Sequence, residues 1–78
     1  MFQDTLDIHG MSEAEAIVTI ERHLAKLDKD IKELTIIHGH NSGRKLKDMI
    51  ANPNKVRSKR IKKRRYSTNP GETILELH

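Results

Sequence analysis

Seventy-eight residues with no cysteine make one small domain near the lower limit for an unaided apolar core, and they exclude disulfides and thiolate metal sites. No apolar run approaches the roughly 20 residues of a membrane span, and no basic-then-apolar signal pattern opens the chain, so a cytoplasmic setting is expected for a domain that either stands alone or is cut from a longer protein. The net charge of +4 divides into −4 over residues 1–43, +10 over 44–65 and −2 over 66–78, an asymmetry that points to a polyanionic partner.

The first segment, "TLDIHG" (5–10), alternates Leu6 and Ile8 against Asp7 and His9, the period of a strand with one buried face, and Gly10 breaks it. In "MSEAEAIVTIERHLAKLDKD" (11–30), Ser12 and Glu15 stand at capping-box spacing, which predicts a helix beginning at Glu13. Ile17, Ile20, Leu24 and Leu27 form its apolar stripe, and His23 borders it as a packing or surface residue. "ELTIIH" (33–38) is β-branched and mostly apolar, a strand expected inside the sheet.

Ser42 is placed to cap a second, shorter helix with Leu46, Met49 and Ile50 on one face, which Asn52-Pro53 ends. The basic stretch through "RIKKRRY" (60–66) suits an edge strand guarded by lysine and arginine. "STNPGE" is a turn, and "TILEL" (73–77) closes an antiparallel hairpin. The order β-α-β-α-β-β predicts a two-layer α/β sandwich. Its sheet has four strands, parallel and antiparallel mixed, with both helices on one face.

Two strands that end in His-Gly carry a functional expectation. If they lie parallel, His9-Gly10 and His38-Gly39 converge at one sheet edge, where ligand sites of open α/β sheets form. The glycines permit a sharp exit and close approach of a ligand to backbone. The loop "GHNSG" (39–43) precedes a helix and has phosphate-binding character through Gly39, Asn41, Ser42 and Gly43. Asp7 shares a strand face with His9 and is placed to fix the imidazole tautomer.

These residues resemble the Smr (small MutS-related) domain over about residues 5–77. "LDIHG" (6–10) matches its Leu-Asp-x-His-Gly signature, and "IIHGHNSG" (36–43) matches its His/Thr-Gly-x-Gly loop, with Asn41 where the family has its second loop glycine. Asparagine tolerates left-handed backbone well, so the turn is expected to survive, with a side chain placed either to donate to phosphate or to block its close approach. The resemblance implies a fold similar to the C-terminal domain of translation initiation factor three. It also implies nucleic-acid binding with endonuclease activity in several members, on messenger RNA of stalled ribosomes or on DNA in repair and recombination.

On RNA, His9 is the expected general base toward a 2′-hydroxyl, Asp7 its orienting partner, and His38 the acid or charge stabiliser. Phosphate contacts are expected from Gly10 and Gly39, from Arg44 and Lys47 at the second helix, and from a basic edge. That edge comprises Arg57, Lys59, Arg60, Lys62, Lys63, Arg64 and Arg65. No cofactor is expected, although Asp7, His9 and His38 offer oxygen and nitrogen donors for a divalent metal. The alternative is a binding module without catalysis, contacting nucleic acid or the ribosome. With Phe2 and Tyr66 as the only aromatics, recognition should rest on backbone and shape, with Tyr66 free either to stack on a base or to pack on the sheet.

Overall fold

The computed structural model describes residues 2–40 and 44–78. Six elements follow in the expected order: β1 (Gln3–Asp7), α1 (Glu13–Lys26), β2 (Glu33–Ile37), α2 (Arg44–Ala51), β3 (Ile61–Tyr66) and β4 (Glu72–Leu77). The sheet order is β1-β2-β4-β3, with β1 parallel to β2 and β4 antiparallel to both neighbours. β3 is therefore an edge strand and β2 an interior one, as their compositions suggest.

Side-chain alternation explains the two layers. Leu34 and Ile36 of β2, and Thr73, Leu75 and Leu77 of β4, all point to one face and are buried there. Against that face pack Ala16, Ile20 and Leu24 of α1 with Leu46, Met49 and Ile50 of α2. Since every buried strand residue belongs to one face, both helices cover the same side. At roughly 1.5–3 kcal/mol for each fully buried aliphatic side chain, this shared core is the main stabilising term.

The start of α1 is set locally. Ser12 Oγ accepts the Glu15 amide at 3.2 Å, and its hydroxyl donates to Glu15 Oε1 at 3.2 Å. Leu27 turns extended (φ −69°, ψ 137°) and ends the helix without a glycine. The exposed carbonyls at that end are taken up by Arg60, which donates to Leu27 O at 2.9 Å, Asp28 O at 3.2 Å and Ile31 O at 2.9 Å. His23 has a sharper role than its sequence position suggests, for its Nε2 lies 2.8 Å from Asp4 Oδ2 and ties α1 to β1. The Thr5 amide and then His23 hold the Asp4 carboxyl below its ordinary range.

Two features have no periodic signal. Val56, in the α2–β3 connection, is fully buried although it stands alone among polar and basic residues. β3 carries a bulge, for Ile61 opposes Leu77 while Lys63 opposes Glu76, leaving Lys62 as the extra residue. The bulge resets the alternation so that Arg64 falls opposite Leu75, on the covered face.

Arg60→Leu should lower the unfolding free energy by about 1–3 kcal/mol in urea denaturation, the scale of charge-assisted hydrogen bonds to carbonyls that are then left open. An unchanged midpoint would show that solvent serves the end of α1 equally well.

Candidate functional site

The parallel register of β1 and β2 places the ends of both strands at one edge, and the Ile8 amide extends the pairing by donating to Ile37 O at 2.9 Å. Both following glycines take positive φ, 79° at Gly10 and 91° at Gly39, as the sharp exits require. A Cβ on Gly39 would stand 3.7 Å from His9 Cβ, so the two loops do meet.

Alternation carries Asp7 and His9 to the open face. Asp7 Oδ1 accepts the His9 backbone amide at 3.0 Å and its Nδ1–H at 2.6 Å. These bonds, the ring contact first, depress the Asp7 carboxyl and keep it an ionised acceptor. An acceptor there requires the proton on Nδ1, so Nε2 is the free ring nitrogen, on a side chain that is 70% exposed. The tautomer and exposure suit a general base.

His38 does not join them. Its position in the alternation is that of Leu34 and Ile36, and it is buried at 2% exposure on the helix side. Nδ1 lies 3.1 Å from the Gly39 carbonyl and Nε2 lies 2.9 Å from Thr73 Oγ1. A carbonyl can only accept, so the neutral ring carries its proton on Nδ1 and receives the Thr73 hydroxyl at Nε2. The amides of His38 and Gly39 both donate to Gly71 O at 3.0 Å. What the edge brings together is therefore His9 and the Gly39 backbone, while His38 holds that backbone from behind. Placing both histidines before one ligand overlooked that Asp7 and His9 share a parity which His38, one register step further, does not.

On the helix side of Gly39 lies a cleft of about 390 Å³ lined by His38, Gly39, His40, Arg44, Lys47, Asp48, Tyr66 and Pro70. Of these, Arg44 is exposed, and Lys47 Nζ sits 4.7 Å from the Tyr66 ring centroid. Asn41, Ser42 and Gly43, and with them the expected cap of α2, lie outside the described residues.

The basic edge divides into two groups. Arg60 closes the end of α1, as above. Arg64 turns inward, donates to Val56 O at 2.6 Å and leaves its Nε buried without an acceptor, and burial lowers its pKa. Arg65 bridges Glu33 and Glu76 on the open face at 2.5 and 2.7 Å. Lys59, Lys62 and Lys63 are exposed, and no acceptor for them stands among the described residues. Arg57 donates weakly, to Asn54 O at 3.3 Å, and with Lys59 and Arg64 it borders a basic hollow of about 510 Å³. A count of charges along the chain cannot see which of them are already paired.

No group of three or more His, Asp or Glu side chains able to hold a metal ion occurs among the described residues, in keeping with the separation of His38 from Asp7 and His9. Among the described residues no helix is long and apolar enough to cross a membrane.

The family model of the Smr domain matches residues 6–76 of the chain, a span that contains both His-Gly segments. No curated protein and no solved structure matches it.

His38→Ala should cost about 1–3 kcal/mol of stability, because the Thr73 hydroxyl is left buried without its partner. The Gly39 loop should loosen with it, visible as faster amide exchange at Gly39. Unaltered exchange there would remove His38 from the role of holding the loop.

Proposed function

This chain belongs to the Smr domain family, and from that premise we propose that it binds nucleic acid and cuts a phosphodiester bond at the edge shared by β1 and β2. The observation that carries the reading is the Asp7–His9 pair, whose 2.6 Å bond fixes the tautomer and leaves Nε2 accessible. On RNA, Nε2 takes the proton of a 2′-hydroxyl as O2′ attacks phosphorus. Ionised Asp7 then supports the imidazolium that forms. The bond to O5′ breaks, and that oxygen takes its proton from solvent, since both ring nitrogens of His38 are engaged. The products are a 2′,3′-cyclic phosphate and a 5′-hydroxyl.

Arg44 and Lys47 offset charge near the reacting group, and Lys59, Lys62 and Lys63 hold the backbone at the β3 edge. A divalent ion would find an oxygen donor in Asp7 and a nitrogen donor in His9, and bound there it would supply Lewis-acid stabilisation of the phosphate charge. The lack of cysteine suits the reducing cytoplasm. A binding module without catalysis is the second reading, favoured by the engagement of His38, the residue expected to act as the acid.

Labelled single-stranded RNA and duplex DNA should be incubated with the protein at low salt, with and without EDTA. His9→Ala should reduce cleavage about 10²–10⁴-fold, the usual worth of a general base, and Asp7→Ala should follow it. Loss of cutting in EDTA would place a metal in the step. Binding without cutting, the same in all variants, would establish the module reading instead.

Affinity should fall with salt, and each of Lys59→Ala, Lys62→Ala and Lys63→Ala should reduce the log–log slope by roughly one. A slope unmoved by all three would put the phosphates elsewhere.

A further inference from the structure

Tyr66 is the single tyrosine of a chain that has no tryptophan and one phenylalanine. It ends β3 opposite Thr73, in the row that buries Ile36 and Thr73, and a ring there would ordinarily pack under a helix. At the edge of the sheet it runs out of cover and remains 67% exposed. The Lys47 ammonium over the ring centroid steadies it without enclosing it. The His40 ring, also in the cleft lining, lies so close over Gly71 that a Cβ there would meet it at 3.0 Å. Two rings therefore line a space together with the cations Arg44 and Lys47 and the acceptor Asp48.

Phosphate alone would need the cations and not the ring, and an uncharged aromatic would need the ring and not the cations. A nucleotide needs both. The cleft volume of about 390 Å³ lies within the roughly 300–1,000 Å³ typical of small-ligand sites. Gly39 is common to the cleft and the dyad, with His9 against it on one side and the cleft on the other. Resting on the nucleic-acid reading above, we propose that this cleft takes the unpaired base of a nucleotide next to the scissile phosphate, stacked on Tyr66. The domain then selects single-stranded segments, because a paired base cannot leave its stack to enter the cleft without additional cost.

The lone tyrosine makes its own reporter. His9→Ala protein, which leaves the strand uncut, should be titrated with single-stranded oligouridylate and oligothymidylate and with a duplex of equal length. Tyrosine emission and the anisotropy of labelled strands should be read together. Single strands should quench the emission saturably, and Tyr66→Leu should weaken their binding about 5- to 150-fold, the span of aromatic stacking losses, while Tyr66→Phe stays close to the parent and the duplex changes little. Single-strand affinity unaltered in Tyr66→Leu, with Lys63→Ala still weakening it, would overturn the stacking site and leave nucleic-acid binding intact. Absence of salt-dependent binding by the parent would overturn the nucleic-acid reading, and this inference with it.

Discussion

The in-register parallel pairing of β1 with β2 is the constraint on which the site depends. It aligns Asp7 with Ile37, so the chain leaves both strands at one edge within a residue of each other. From that single alignment follow the positive-φ turns at Gly10 and Gly39, the contact between His9 and the Gly39 loop, and the entry of both helices from the same side. β4 then locks the arrangement from the opposite direction, since its preceding residue Gly71 accepts the amides of His38 and Gly39. The start of the loop at Gly39 is thus held by backbone bonds, and the His38 ring adds its contact with the Gly39 carbonyl.

Much of this was legible in the chain, for identifiable reasons. Capping residues, apolar stripes and turn dipeptides are local signals, and they marked the start of α1, the end of α2 and the β3–β4 hairpin. The pair Asp7 and His9 was legible because two residues apart on a strand means one face. The burial of His38 does not follow from the convergence of two loops, which says nothing of the side each residue takes. The parity of "ELTIIH", with Leu34 and Ile36 inward, already assigned His38 to the covered face. Val56 and the bulge at Lys62 had no such clue, since both depend on contacts far apart in sequence.

The arginines show why charge along the chain overstates the binding surface. A domain of 78 residues has little apolar surface to bury, and here guanidinium groups do part of the joining. Arg60 ties the end of α1 to the β3 edge, and Arg65 straddles Glu33 and Glu76 across strands β2 and β4. Arginine suits both tasks because its planar fork reaches several acceptors at fixed angles. The exposed cations that remain are mostly lysines, which suits a sliding electrostatic contact with a phosphate backbone better than a shaped one. The +10 of residues 44–65 therefore divides between arginines such as Arg60, Arg64 and Arg65, engaged within the fold, and lysines such as Lys59, Lys62 and Lys63, which stay exposed.

Gly39 unites these strands of argument. No crowding explains the glycine, since a Cβ there would meet His9 at an ordinary 3.7 Å; its φ of 91° explains it, being a conformation that side chains resist. The turn passes between an exposed imidazole on the open face and a ring-lined cleft on the helix face. In the binding mode proposed above, a polynucleotide crossing this edge would have its sugar toward His9 and its base toward Tyr66. The buried His38 gains a purpose in that setting: with Thr73 behind it and the Gly39 carbonyl before it, it sets the height of the divider between the two.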